Sequence, residues 1–133
     1  MTAEPLPQPK LLWGLLCDYF LIDVAGKQSY IGVFEQITAQ SFPAQHKLMN
    51  VVSAIEGPAG VEARGLLTLW SPDDRIVLST PEIAVQFNQF GRAVVVNMLY
   101  DVRFEQPGRY TAVMELNRRK LGSINLEVVG PAS

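Results

Sequence analysis

Short runs rich in Val, Ile, Leu and aromatic residues follow one another from Leu11 to Val129, divided by Gly, Pro, Asp and Asn at intervals of about ten residues. That spacing predicts strands. The runs lie at 11–24, 28–37, 47–56, 62–71, 75–79, 82–88, 92–105, 109–117 and 120–129, and the fifth and sixth are either two strands or one strand bent at Pro81. No long stretch keeps a 3.6-residue period, so helix is a minor component. The clearest turns are Ala25-Gly26-Lys27, Gly57-Pro58-Ala59-Gly60 and Ser71-Pro72-Asp73-Asp74.

Alternation assigns faces within the runs. In the final hairpin Tyr110, Ala112, Met114 and Leu116 pair with Gly122, Ile124, Leu126 and Val128 toward the core. Thr111, Glu115, Asn117, Ser123, Asn125 and Glu127 face water. The preceding run places Val94, Val96, Met98, Tyr100, Val102 and Phe104 in the core, opposite Val95, Asn97, Leu99, Asp101, Arg103 and Glu105. The first run is apolar on both sides. Trp13, Leu15, Cys17, Tyr19 and Leu21 share one face, and Leu12, Leu16, Phe20 and Ile22 the other. Its outer face therefore needs a cover, either the chain around Phe42-Pro43 or a second subunit.

Phe104-Glu-Gln-Pro-Gly-Arg-Tyr110 marks a chain reversal. Pro107 fixes φ, Gly108 tolerates φ > 0, and Tyr110 stands where its phenol reaches back to backbone near 104–106, as in the tyrosine corner of Greek-key sandwiches. The architecture predicted is a single antiparallel β-sandwich of seven to nine strands, all-β, with immunoglobulin-like or jelly-roll-like connections. Residues 1–10, with prolines at 5, 7 and 9, form a flexible arm, and 11–130 the domain.

Composition fits one soluble domain: 133 residues, 48% apolar and 18% charged. A net charge of -2 gives no field to gather nucleic acid or an anionic membrane. The apolar run 11–22 is too short to span a bilayer and is interrupted by Asp18, and Glu4 and the prolines before it do not resemble a signal peptide. One cysteine excludes an internal disulfide, and the compartment expected is the cytoplasm.

The inventory of reactive groups argues against catalysis, cofactors and metals. His46 is the only histidine, read as a solvated loop residue before a strand. Cys17 has an acid beside it and an apolar strand around it, which both raise a thiol pKa, so it is an inert buried thiol. Asp18 in that run takes a structural role, held by backbone N–H groups of a turn or bulge. Asp73-Asp74 offers too few oxygens for calcium, and no phosphate, zinc or nucleophile-elbow motif occurs. The basic tip Arg118-Arg119-Lys120 reads as solubilising. Trp70 either closes the sandwich edge or, with Arg64 on the same face, offers a stacking platform for a sugar or other small polar ligand.

The order Leu-Leu-Cys17-Asp18, Gly26-Lys-Gln-Ser-Tyr-Ile-Gly32-Val-Phe34, Phe42-Pro43, Trp70-Ser-Pro-Asp-Asp74 and Phe104-Glu-Gln-Pro-Gly-Arg-Tyr110 resembles a family of small uncharacterised bacterial β-sandwich proteins, a domain of unknown function. The likeness spans about 11–129 and implies a compact sandwich without catalytic residues to carry over. The function expected is a non-enzymatic protein-interaction or assembly module, binding a protein partner or itself through Trp13, Tyr19 and Leu21. A small-ligand module at Trp70 and Arg64 is the alternative, and a hydrolase using carboxylates a further one.

Overall fold

The apolar runs become ten strands in the computed structural model, which describes residues 8–131 and contains no helix among them. They are β1 (Lys10–Ile22), β2 (Gln28–Phe34), β3 (Gln36–Thr38), β4 (Ala44–Glu56), β5 (Glu62–Trp70), β6 (Ile76–Ser79), β7 (Ile83–Gln86), β8 (Arg92–Phe104), β9 (Gly108–Leu116) and β10 (Arg119–Val129). One sheet has the order β2-β1-β4-β8. The other runs β3-β10-β9-β5-β6, with β7 also on β5. All pairs are antiparallel except β3 with β10. Lys10 belongs to β1, and the arm expected before it falls largely on residues 1–7, outside the described residues.

The tenth strand, one more than expected, comes from the run 28–37. Glu35 divides it, because its carbonyl accepts the Glu127 N–H at 3.0 Å and carries the chain from one sheet to the other. The break at Pro81 is handled differently. β6 and β7 lie end to end along β5, and where Thr80 and Pro81 interrupt the ladder the Thr80 hydroxyl accepts the Leu67 N–H at 3.0 Å. The hydroxyl there takes the acceptor place that a ladder carbonyl would otherwise fill.

Leu16, Met49, Val51, Leu67, Leu69, Leu99, Val102, Phe104, Tyr110, Met114, Leu126 and Val128 fill the space between the sheets, and Ile55, Val85, Phe87 and Leu116 form a second cluster beside them. Phe104 and Tyr110 meet edge to face at 4.8 Å, a geometry worth about 1 kcal/mol beyond area burial. The β9–β10 register pairs Tyr110 with Leu126, Ala112 with Ile124 and Met114 with Gly122, as alternation requires.

Alternation fails in β8. Val102 and Phe104 are buried, but Val94, Met98 and Tyr100 are exposed and Leu99 takes the core position. The cause is Asp101, whose φ of 52° places one left-handed residue inside the strand and reverses which side its neighbours face. Gly32, at φ 70° in β2, interrupts the opposite edge of the same sheet. In β1 a bulge between Leu11 and Trp13 lets both Leu11 and Leu16 pack on the core. His46 is not in a loop: β4 starts at Ala44, and the imidazole packs half-buried against Phe34, ring centres 5.8 Å apart.

Candidate functional site

The outward face of the four-stranded sheet can be read from its register, because directly opposed residues share a face. Trp13 lies opposite Ala54 and Ala54 opposite Val94. Leu15, Val52 and Val96 make the next row, and Val33, Cys17, Asn50 and Met98 the third. No side chain in these rows is charged. Cys17, Asn50, Val52 and Ala54 are buried by their neighbours, while Trp13 (42%) and Met98 (53%) stand exposed. Tyr100, two residues beyond Met98, is 61% exposed. Tyr30 bridges Trp13 and Phe20, with centroids 5.7 Å from each, so two residues that alternation sets on opposite sides join one aromatic row. Tyr19 (60%) and Leu21 (53%) are exposed farther along the β1–β2 hairpin, opposite Ile31 and Ser29.

The chain around Phe42-Pro43 does not cover this face. Phe42 packs on the core and against Gly130 instead. Among the described residues, nine of the fourteen exposed large apolar side chains are on β1, β2 and β8 of this one sheet. A patch so concentrated is what an association surface requires. Beneath it the Asn50 amide donates to the Asp18 carbonyl at 3.0 Å, which ties β4 to β1. Burial first, then the neighbouring Asp18, pushes the Cys17 thiol above its ordinary pKa, which disfavours the nucleophilic thiolate.

A cleft of about 600 Å³ opens where the edge strands β6 and β8 approach without pairing. Leu78, Val102 and Tyr110 form its apolar wall. Its rim carries Asp73 with Arg75 at 3.2 Å, Arg103 with Glu105 at 2.7 Å, and Asp101. The Ser71 hydroxyl donates to Asp73, as does Gln106 at 3.0 Å; Ser71 foremost, then Asp73's own backbone, Arg75 and Gln106 hold that carboxyl below its ordinary pKa. An acid kept ionised is a poor proton donor at neutral pH. Sequence reasoning missed this cleft, because it arises from two strand edges that alternation does not place beside each other.

Trp70 is half-buried on the outer face of the six-stranded sheet and lines a second, more open concavity with Pro72, Asp74, Arg109 and Thr111. Arg64 does not reach it. It stands at the far end of β5, where its main chain exchanges hydrogen bonds with Asn117. The arginine beside Trp70 is Arg109, which pairs with Glu127 at 2.5 Å. The β5–β9 register carries the signal that finds it, since Trp70 opposes Thr111 two residues beyond Arg109.

The expected structural residues sit at bends. Gly108 has φ 136°, and a Cβ there would meet Pro72 at 2.7 Å. Pro107 precedes it at the turn into β9. Asp18 holds its carboxylate against Gly32, so close that a Cβ on the glycine would lie 2.5 Å from Oδ2, and its bond to the sheet is made through its main-chain carbonyl. Asn117 and Arg118, at φ 50° and 66°, form the β9–β10 turn, with Arg118 reaching Glu82 at 3.9 Å. Among the described residues no helix is long and apolar enough to cross a membrane, and no cluster of acids, histidine and cysteine is arranged to hold a metal ion.

Parts of two solved structures share the fold at low sequence identity. The chain is similar to part of the Pseudomonas fluorescens alkylpurine DNA glycosylase AlkC bound to DNA containing an abasic site analog, at 13% identity and TM-score 0.52, over 87% of this chain and 30% of that one. It is also similar to part of a beta-glucosidase from Listeria innocua in complex with isofagomine, at 10% identity and TM-score 0.52, over 93% of this chain and 16% of that one. An immunoglobulin-like protein from Pseudomonas aeruginosa matches at 11% identity and TM-score 0.41 over 92% of each chain. The chain spans less than a third of the first two proteins, and at these identities the likeness concerns the fold alone. No curated protein matches. The sequence itself fits one family over residues 12–129, and the chain belongs to that family of unknown function, DUF6941.

Proposed function

We propose that the chain is a non-enzymatic association module that binds a protein partner through the outer face of its four-stranded sheet. The observation that carries this reading is the uncharged rows Trp13–Ala54–Val94, Leu15–Val52–Val96 and Cys17–Asn50–Met98, edged by exposed aromatic and methionine side chains. Interface cores are depleted in charge and enriched in Trp, Tyr and Met. The ion pairs on the acids of the β6–β8 cleft and the inert thiol support the non-enzymatic part. The cytoplasmic location rests on the lone, buried Cys17.

The test uses wild-type protein and Trp13→Asp as baits in extract of the native host, with every retained protein purified and titrated back. A partner whose affinity falls at least tenfold with Trp13→Asp supports the reading. Equal affinity for both baits, or no partner, removes it. A second reading, a small polar ligand at Trp70, is favoured by the open concavity there and uses Arg109 in place of Arg64. Quenching of tryptophan fluorescence by a sugar, retained in Trp13→Phe and lost in Trp70→Phe, would support it.

A further inference from the structure

Most of the sheet edges are short or interrupted. β3 has three residues, β6 and β7 four each with Pro81 between them, and β2 seven with a left-handed Gly32 inside. Such edges resist adding a strand. β8 is different. It has thirteen residues and pairs with no strand but β4, so beyond Arg92, whose main chain is held by Asn88, alternate residues turn their N–H and C=O groups away from the sheet. From Ala93 to Tyr100 it carries no charge, proline or glycine. None of the devices that protect an edge is present until Asp101 bends the strand.

We propose that the β8 edge pairs antiparallel with β8 of a second copy of this chain, giving one continuous eight-stranded sheet across a twofold axis. The charge pattern selects this occupant. Arg92 precedes the uncharged run and Asp101 follows it. Antiparallel self-pairing centred near Val96 brings each Arg92 within about one residue of the partner's Asp101, and sets no like charges against each other inside the run. Val94, Met98 and Tyr100, all exposed in one copy, gather at the seam and cover one another. The seam shares Val94, Val96 and Met98 with the rows assigned to a protein partner, but the pairing is made by the main chain of the edge and does not depend on that assignment.

Sedimentation equilibrium at micromolar concentrations tests the pairing with Val96→Lys and Val96→Glu, which bring like charges together across the axis. The expected result is a wild-type dimer, two monomeric variants, and a dimer restored when the variants are mixed in equal amounts. Trp13→Asp remains dimeric. A wild-type monomer, or a dimer that both Val96 variants keep, overturns the proposal. Hydrogen exchange on wild type gives a readout independent of how well the variants fold: the outward amides of β8 must slow as concentration rises, and exchange independent of concentration overturns it.

Discussion

The Tyr110 hydroxyl donates to the Gln106 carbonyl at 2.7 Å and accepts the Gln106 N–H at 3.4 Å, so one phenol satisfies both main-chain groups of a residue four positions upstream. The ring is 1% exposed and packs edge-on to Phe104, while Pro107 and Gly108 make the reversal that brings it back. Tyr110→Phe keeps the ring and orphans that carbonyl. The expected cost is about 1 kcal/mol or somewhat more, read from urea unfolding with an unchanged m-value, and association is unaffected. Lost association at full stability would identify Tyr110 as a binding residue instead.

The same burial sets an alkaline limit. Desolvation, the largest cause, pushes the Tyr110 pKa above its ordinary value, with Asp73 and Glu105 adding to it and the backbone bonds opposing. The folded state therefore holds the neutral phenol more tightly than the unfolded state does. This contribution is fully present below the unfolded value of about 10 and is lost as pH rises through the higher folded value. Wild type should lose stability more steeply than Tyr110→Phe above about pH 10, as thermal unfolding followed by circular dichroism would show. Parallel curves would mean that another group dominates.

Where one face is clearly apolar the sequence is a good guide: the β9–β10 pairs from Met114 with Gly122 to Tyr110 with Leu126 follow the apolar periodicity, although a bulge between Lys120 and Gly122 offsets them by one residue from the short turn at Asn117-Arg118. Alternation misleads in β8 because Asp looks like any polar residue on a strand, and nothing local announces that Asp101 takes a left-handed φ. The sequence leaves Trp70 either closing the sandwich edge or open to a ligand, and it does not reveal the neighbouring arginine, since Arg64 shares its strand whereas Arg109 comes from a neighbour 39 positions later in the chain. The β6–β8 cleft and the unpaired β8 edge depend on which strands end each sheet, and strand order is a long-range property.

Asp101 gives a direct test of the bend. Its φ of 52° strains a residue with a Cβ, although Asp tolerates it better than most. Asp101→Gly relieves that strain at some cost in unfolded-state entropy, with a net gain of about 0.5 kcal/mol. Asp101→Val, β-branched in the same conformation, should lose about 1 to 2 kcal/mol. If both variants are neutral in urea unfolding, the bend belongs to the packing of Leu99 and Val102 rather than to this residue.

Thr80 offers the sharpest separation of a hydrogen bond from packing. Its hydroxyl accepts the Leu67 N–H at 3.0 Å and donates to the Leu67 carbonyl at 3.3 Å, beside a Leu67 that is fully buried. Thr80→Val preserves shape and leaves that N–H without a partner where Pro81 has broken the ladder, a buried loss of about 1 to 3 kcal/mol. Thr80→Ser keeps the hydroxyl and gives up one methyl, costing about 1 kcal/mol or less. The order Thr, Ser, Val in unfolding midpoint, with the Leu67 amide exchanging faster only in Thr80→Val, would establish that the side chain completes the β5 ladder. Equal stability of Val and Thr would show that β6 and β7 hold their positions by apolar contact alone.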